Sequence, residues 1–427
     1  MMVRLAAALA LLVPALSLAQ GDAGVLTLDE AVRTALESHP SIRRARADVA
    51  GAEAGVGAAR APLFPQVQGQ ASWQFQDRPS VQLGTSFVRS SGQSAAAGLS
   101  VNQLVTDFGR TTNGLRAAAA TEDAQREGEL DVRDSVVANV RQAFFTARAR
   151  KALLAVAEQN LANQQRHLEQ VAAFVELGER PPYDLAQAQT NAGAARSQLA
   201  AARGEYRVAR ASLVQAMGIP IAADFEVADQ GLPPIEGEGG SAEDLLPEAL
   251  GARHDVAALE QRIRSSEYFV RSNRAGWFPT LGITGGIDAL GPAFDDLDGP
   301  AWKAGVTLTW QLFQGGATLA AVRQAEASVD GLRAERDALA QQVRFELEQS
   351  LAAIQSALAA REAADETLAS AREQLRLAEG RYETGLGSLL ELADAELALQ
   401  QAEGARVQAE YDLSAARALL LRRLGRG

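Results

Sequence analysis

The sequence predicts an α+β membrane protein built from two copies of one unit, each a helix, a β-hairpin and a long helical hairpin. Three observations support this fold class. Segments of the first half recur in the second half, four short segments alternate apolar and polar residues, and two long segments, 110–176 and 317–383, contain no proline and little glycine. The first observation predicts a duplication, the second predicts strands and the third predicts long helices.

Composition excludes several classes of protein. Hydrophobic residues make up 47% of the 427 residues and charged residues 22%, which excludes general disorder. The chain has no cysteine, which excludes disulfides, thiolate zinc sites, catalytic cysteines and a lipid-modified N-terminal cysteine. A net charge of −12 argues against nucleic acid as a partner.

The first 19 residues are expected to be a secretory signal peptide. Arg4 precedes an apolar run from Leu5 to Leu16, and small residues precede a predicted cleavage site after Ala19. The alternative is an N-terminal membrane anchor, for which the apolar run is short. We therefore expect export of the mature chain to the periplasm, the exterior or an outer-membrane β-barrel.

The repeat divides the mature chain. RAPLFP at 60–65 recurs as RAGWFP at 274–279, and GLSVNQLVTDFG at 98–109 corresponds to GVTLTWQLFQGG at 305–316. From there the offset of 207 residues holds without a gap for over 100 residues. We assign residues 20–242 to the first repeat with its linker, and 243–427 to the second.

Each repeat is predicted to open with a helix, near 28–60 and 243–275. Thr27 followed by Glu30 is a capping-box pattern for the first. Each helix is expected to end before a Phe-Pro pair, because the residue before proline is pushed out of the helical region.

Strands are predicted at about 66–76 and 97–106 in the first repeat and at about 280–289 and 302–313 in the second. In VQGQASWQFQ, beginning at Val67, apolar or small residues alternate with glutamine and serine. About ten residues is the length that crosses a bilayer at a tilt. The alternative is a soluble β-layer packed on helices. All four tryptophans lie in or beside these strands, which is typical of a membrane interface: Trp73, Trp277, Trp302 and Trp310.

The long segments 110–176 and 317–383 predict helices of about 100 Å at about 1.5 Å per residue. Shorter helices are expected to return over 184–217 and 391–424. Apolar residues recur every seven positions, which favours supercoiled packing. Four strands leave open edges, which are costly in hydrocarbon, so the chain is expected to close its sheet with copies of itself; the pattern does not give their number.

Together, these features resemble the TolC family of outer-membrane efflux proteins over about residues 25–425. The motifs that carry the resemblance are HPSI (39–42), Phe-Pro before the strands, LVTDFGR (104–110), LFQGG (312–316) and YETGLGSLLE (382–391). The resemblance implies a homotrimer whose 12-stranded transmembrane barrel takes four strands from each chain and continues as a periplasmic α-helical coiled-coil tunnel.

The resemblance also implies the function and the partners. The expected role is the exit duct of a tripartite efflux pump or a type I secretion system, in the bacterial outer membrane and with a large periplasmic portion. The expected partners are a periplasmic membrane-fusion adaptor, an inner-membrane pump of RND, ABC or MFS type, and outer-membrane lipid. The resemblance implies no enzymatic activity and no cofactor.

The resemblance places a gate and a docking tip at the helical turns. Glu391 and Asp394 lie three residues apart, so they share a helix face and would form acid rings in a trimer; the alternative is a solvated pair of acids at a helix start. Tyr382 is expected to bond to Asp184, whereas the arginine of the family's closure network corresponds to Gly387 here. The expected adaptor-docking residues are Gly178, Arg180, Gly385, Leu386, Gly387 and Ser388.

Two other classes of function are alternatives to an exit duct. A periplasmic coiled-coil adaptor or scaffold without a pore would need a lipoyl-like or barrel insertion and an inner-membrane anchor, and neither is visible. A secreted hydrolase would need a nucleophile constellation, which the sequence also lacks. His39, His167 and His254 show no metal-ligand spacing, which favours surface or helix-end roles.

Overall fold

The computed structural model describes residues 24–83, 86–220 and 225–426. The predicted signal peptide, residues 1–19, lies outside these residues. The first repeat contains β1 (Gly24–Leu26), α1 (Leu28–Ser38), α2 (Pro40–Arg60), β2 (Gln66–Leu83), β3 (Ser86–Thr106), α3 (Arg110–Glu176), α4 (Pro182–Met217) and β4 (Phe225–Val227). The second contains α5 (Ala242–Ala252), α6 (His254–Arg274), β5 (Thr280–Gly291), β6 (Ala301–Thr309), α7 (Ala317–Glu383) and α8 (Leu389–Arg423).

The two longest helices have the predicted bounds. Helices α3 and α7 contain 67 residues each, and each is followed by a return helix that packs along it. The heptad residues of the return helices are buried or half-buried against these rods, as with Leu199 in α4 and Leu392 in α8. No helix among the described residues is long and apolar enough to span a membrane.

Each opening helix is broken in two, which the sequence analysis did not predict. Residues His39 and Arg253 are extended, with ψ of 129° and 124°, and interrupt the expected helices 28–60 and 243–275. Pro40 explains the first break, because proline excludes the preceding residue from the helical region. The second break has no proline after it.

Buried charge accompanies the second break. Arg253 is only 5% exposed, and its guanidinium lies 2.6 Å from an oxygen of Asp255 and 2.7 Å from an oxygen of Glu346 in α7. Arg423 of α8 reaches the same Glu346 oxygen at 2.7 Å. A buried guanidinium needs such partners, so these contacts fix the break against α7 and α8.

Two equivalent apolar cores lie where the short helices meet the rods. The first surrounds Phe144 and Leu213 and includes the short parallel pair β1–β4. The second surrounds Leu351 and Leu420, which are the repeat equivalents of those two residues. The linker between the repeats runs past the first core and is held to α8 by Arg417, which contacts Glu238 at 2.7 Å.

The four long strands form one antiparallel sheet in the order β2-β3-β5-β6. Directly paired residues share a face, so the pairs Gly69–Leu99, Leu99–Ile287 and Ile287–Trp302 carry one apolar face across all four strands. The opposite face is polar and includes Gln68, Ser100, Gly286 and Lys303, again in direct register. The large apolar side chains of the first face are exposed in the single chain.

The strand lengths differ from the predicted ones. The first hairpin, 66–83 with 86–106, is longer than the predicted 66–76 and 97–106, because backbone pairing continues past the point where the alternation stops. The predicted strand 302–313 is wrong at its end, since β6 stops at Thr309. Its partner β5 begins opposite, at Thr280 after Pro279, so residues beyond Thr309 have no partner strand within the described chain.

Candidate functional site at the helical tip

The two long hairpins turn in nearly the same way. Gly178 and Gly385 both have a φ of +75°, a conformation that costs other L-residues about 1 kcal/mol or more. The amide of Glu179 donates to the carbonyl of Phe174 at 2.9 Å, and that of Leu386 donates to Arg381 at 2.9 Å. These hydrogen bonds satisfy the last carbonyls of α3 and α7 in a Schellman-type ending.

The return helices start differently in the two repeats. Ser388 caps α8, and its hydroxyl accepts a 3.1 Å hydrogen bond from the amide of Glu391. Helix α4 has no side-chain cap and instead begins with Pro181 and Pro182, whose missing N–H groups need no partner. Gly387 packs so closely on the end of α7 that a Cβ there would lie 3.0 Å from the amide nitrogen of Tyr382.

Large apolar side chains project from both turns. Leu386, which the sequence analysis named, is 79% exposed, and Tyr183 is 73% exposed. Leu177 and Leu390 are also exposed, and neither they nor Tyr183 were named from the sequence. The repeat contained a usable signal, because Tyr183 and Leu390 stand at equivalent positions 207 residues apart. Exposed apolar groups at the end of a coiled coil are suited to contact another protein.

Arg180 and Tyr382 bring the two turns together. Tyr382 is 4% exposed, and the guanidinium of Arg180 lies 4.8 Å from the centroid of its ring. This is a cation–π geometry between the first-repeat turn and the end of α7. Burial raises the pKa of Tyr382 above its ordinary value, while Arg180 acts in the opposite direction.

The expected hydrogen bond between Tyr382 and Asp184 is not formed in this structure. The hydroxyl of Tyr382 is buried and has no hydrogen-bond partner among the described residues. Asp184 lies in the first turn of α4, and its carboxylate influences Tyr382 only through its charge. Arg180 was named from the sequence as a docking residue, but its ring contact instead places it beside the predicted gate tyrosine.

The predicted acid pair lies at the start of α8. Glu391 and Asp394 are both exposed, on the outer side of a helix whose inner side buries Leu392 and Ala395. The carboxylate of Glu391 is 3.0 Å from Nε of Arg381 in α7, a contact that the sequence analysis did not anticipate. Arg381 therefore offsets part of the negative charge at this position, while Asp394 forms no ion pair within the part of the chain that the structure describes.

The tryptophans form a lower pair at one end of the sheet and an upper pair further along it. Trp277 and Trp310 lie just beyond the ends of β5 and β6, and Nε1 of Trp310 donates to the carbonyl of Trp277 at 3.1 Å. Trp302 pairs with Ile287 and lies about 26 Å from Trp310 along the strand at about 3.3 Å per residue. Trp73 lies higher still, opposite Ala95. All four side chains are exposed in the single chain.

Phenylalanines join the lower tryptophan pair, which the sequence analysis missed. Phe108 stacks on Phe278 with ring centroids 5.4 Å apart, and Phe64 and Phe313 are exposed beside the same strand ends. Phe108 has a φ of +56°, and its repeat equivalent is Gly315 with a φ of +61°. The shared left-handed backbone identifies the strand-to-helix turn as a feature common to both repeats.

The histidines lie apart from one another in the structure. Among the residues that the structure describes, no group of three or more acidic or histidine side chains is placed to hold a metal ion. The three histidines lie in separate places: His39 caps α2, His254 contacts Glu127, and His167 contacts Glu396.

Comparisons with known proteins point to one family. The chain matches the family described as Outer membrane efflux protein over residues 31–219 and 245–426. Outer membrane efflux protein BepC of Brucella suis is 25% identical over 403 residues, covering 94% of this chain and 85% of that protein. Pyoverdine export outer membrane protein OpmQ of Pseudomonas putida is 27% identical over 410 residues, covering 94% and 86%.

The fold has solved counterparts. A crystal structure of a membrane protein from Pseudomonas aeruginosa superposes with a TM-score of 0.82 at 26% identity, covering 93% of each chain. The similarity therefore extends over both repeats, including the sheet and the helical hairpins.

Proposed function

The chain belongs to the outer membrane efflux protein family, and from that premise we propose how its surfaces build an exit duct. The protein is an outer-membrane channel of an efflux system, with a large periplasmic helical portion. The observation that carries the proposal is the apolar face that crosses all four strands and adjoins helices long enough to span about 100 Å. The apolar face of the sheet would contact lipid, and the long helices would extend into the periplasm.

The alternative expectation, a periplasmic coiled-coil adaptor or scaffold without a pore, is wrong. The matched family consists of outer-membrane efflux proteins, and the match covers both repeats. The relatives are channels, and no catalytic activity is indicated for them.

Barrel closure requires other copies of the chain. Strands β2 and β6 are the edges of the sheet, and each has a partner on one side only within the described chain. In hydrocarbon each unpaired backbone group costs several kcal/mol. Three copies in which β6 of one pairs with β2 of the next would give a closed 12-stranded barrel, and the rods below would continue it as a helical tunnel.

The lower and upper tryptophan pairs would mark the edges of the lipid. Trp277, Trp310 and the phenylalanines around Phe278 would lie at the periplasmic interface, and Trp302 and Trp73 nearer the outer one. A spacing of about 26 Å along a strand tilted by about 40° corresponds to about 20 Å of height, somewhat less than the apolar band of about 25 Å of outer-membrane barrels.

The polar face would then line the pore. Its side chains are mostly neutral glutamine, serine, asparagine and threonine, with an ion pair between Lys303 and Asp288 at 3.0 Å. Neutral polar walls hydrate solutes without holding them, so we expect a pore with little selectivity of its own. Cargo choice would lie in the inner-membrane pump.

The helical tip would hold the gate and the docking surface. Glu391 and Asp394 would form two acid rings at the entrance, with Arg381 moderating the first, and Arg180 on Tyr382 would tie the turns together. The exposed apolar residues Tyr183, Leu386 and Leu390 would contact the periplasmic adaptor, through which an inner-membrane pump of RND, ABC or MFS type delivers cargo.

Fractionation of cells that express the chain tests the proposal. We expect the mature protein in the outer membrane, and a trimer that survives mild detergent and dissociates on boiling. Recovery of a soluble periplasmic monomer would contradict it. In a host that lacks its own duct, expression with a cognate adaptor and pump should restore resistance to pump substrates.

A further inference from the structure

A row of polar side chains joins the two helical hairpins above the tip. On α3, Asn160, Gln164 and His167 occupy one face at intervals of four and three residues. Across from them on α8, Gln400 accepts a 3.1 Å hydrogen bond from Asn160, and Glu396 accepts a 2.7 Å hydrogen bond from Gln164.

Below this polar row, towards the tip, one buried apolar cluster is shared by both hairpins. Helix α7 packs on α8 through buried apolar residues such as Leu368 and Leu392, and α3 packs on α4 through Val171 and Ala188. Helices α3 and α8 belong to different hairpins and different repeats. The contact between the hairpins therefore combines directional hydrogen bonds, which are lost as soon as the hairpins separate, with apolar packing of Val171 in α3 near Tyr382 and Leu392.

His167 is the one titratable member of this row on α3. Its Nε2 lies 2.7 Å from an oxygen of Glu396, and both side chains are largely buried, 15% and 9% exposed. The ring also meets Tyr382 of α7 edge-on, with centroids 6.5 Å apart. The residue lies 11 positions before Gly178, about 16 Å above the turn at about 1.5 Å per residue.

The charges around the ring favour the imidazolium. The hydrogen bond to Glu396 raises the pKa of His167 above its ordinary value, the charges of Glu396 and Glu379 act in the same direction, and burial and Arg166 oppose them. Nδ1 is buried with no hydrogen-bond partner among the described residues, so the ring is held through Nε2.

We propose that His167 and Glu396 form a protonation-dependent latch that holds the two helical hairpins of one protomer together above the tip. The latch rests on the proposed channel function, because its role is to oppose separation of the hairpins at the entrance. It couples α3 of the first repeat to α7 and α8 of the second, directly beside the Arg180–Tyr382 contact.

The sign of the pH effect follows from the raised pKa. A group whose pKa is raised in the folded contact stabilises that contact fully below its ordinary pKa and loses the effect as pH rises through the raised pKa. The latch is therefore strong in a mildly acidic periplasm and weak in an alkaline one. A charged hydrogen bond is stronger than a neutral one by an amount that corresponds to about a fivefold change in the latched population of each protomer.

Planar-bilayer recordings of the purified trimer at several pH values test the latch. We expect the open probability of the wild type to rise about fivefold or more between about pH 5.5 and about pH 8.5. The variant His167→Gln keeps a hydrogen-bond donor but cannot titrate, and should show a nearly flat profile. His254→Gln is a matched control, because His254 also contacts a glutamate, Glu127 at 2.8 Å, far up the same rod.

The results of these recordings distinguish a failure of the latch proposal from a failure of the proposed channel function. If the wild type conducts but its open probability is independent of pH, or if His254→Gln removes the dependence and His167→Gln does not, the latch is wrong and the duct stands. If the folded trimer does not conduct in any variant, the proposed function fails and the latch fails with it.

A second measurement does not depend on conduction. The chain has three histidines, so the imidazole NMR signals can be assigned by substituting each with glutamine in turn. We expect His167 to titrate above the ordinary histidine range, and Glu396→Gln to bring its pKa down. A His167 signal that titrates at or below the ordinary value in the wild type would overturn the latch.

Discussion

The guanidinium of Arg180 lies 4.8 Å from the centroid of the Tyr382 ring, and Arg180 stands at the position in the first repeat that Gly387 occupies in the second. By resemblance to the family, the arginine of the closure network corresponds to Gly387, so this part of the network was expected to be absent here. In this chain an arginine at the equivalent turn of the other repeat reaches the predicted gate tyrosine. Because the two turns have nearly the same backbone geometry, an arginine at position 180 of the first turn can lie close to Tyr382, as an arginine at position 387 of the second turn could.

Removing this arginine should loosen the tip. A partly desolvated cation–π contact is worth about 1 kcal/mol, so Arg180→Ala should raise the ratio of open to closed channels about fivefold. Single-channel recording measures this ratio, and entry of large antibiotics into cells offers a second readout. Arg180→Lys retains a cation, so its ratio of open to closed channels should lie between those of the wild type and Arg180→Ala. Arg376→Ala, on the exposed part of α7, should not change this ratio.

The acids of α8 should govern block by multivalent cations. Glu391→Gln combined with Asp394→Asn removes two charges per chain, which should weaken block of the single-channel current. Arg381→Ala should strengthen this block, because it frees the carboxylate of Glu391 from its partner at 3.0 Å. Unchanged block in both variants would show that these acids do not line the entrance.

Arg253 should be among the most costly charged residues to remove. Arg253→Ala would leave Asp255 without its buried partner and Glu346 with Arg423 alone, at a cost of about 3 kcal/mol. The midpoint of thermal unfolding of the detergent-purified protein should fall clearly. The matched control Arg376→Ala breaks only a solvent-exposed pair with Glu373 and should leave the midpoint unchanged.

Two glycines near the tip should respond to alanine with opposite signs. Gly385 has a φ of +75° and open space around its Cα, so Gly385→Ala should destabilise the turn by about 1 kcal/mol through backbone strain alone. Gly380 lies inside α7 with nothing near it, so Gly380→Ala should stabilise the helix by about 0.5–1 kcal/mol. The rate of limited proteolysis at the turn measures both effects, and should rise in Gly385→Ala and fall in Gly380→Ala. Equal cleavage rates in the two variants would contradict the turn geometry.

The parts of the fold set by strong local patterns were predictable. Long segments without proline gave the bounds of α3 and α7, because nothing within them could end a helix. The break at Arg253 was not predictable, because it depends on ion pairs with Glu346, which is distant in sequence. The end of β6 at Thr309 was missed for a similar reason, since it is set by where β5 begins.

The candidate site was predictable in position but not in its contacts. The glycines at both turns marked the tip, and Leu386, which was predicted to be a docking residue, is exposed. The contacts of His167 with Glu396 and of Arg180 with Tyr382 join the two repeats across long sequence separations, and no spacing along the chain reports such a pair. Those contacts depend on how the hairpins pack.

The central claim is that the sheet closes with copies of the same chain, and cysteine crosslinking tests it most directly. The chain has no cysteine of its own, so any disulfide that forms must join the introduced cysteines. Cysteines would replace one of Gln66, Gln68 or Gln70 on β2 and one of Thr307 or Thr309 on β6. The pair Asn102→Cys with Thr284→Cys is the control, because these residues are direct neighbours within one chain.

We expect at least one β2–β6 combination to give covalent dimers and trimers in non-reducing gels of outer membranes, while the control pair crosslinks within the monomer. If the control crosslinks and every β2–β6 combination remains monomeric, the two edges do not meet in neighbouring copies, and the trimeric duct proposed for this chain is wrong.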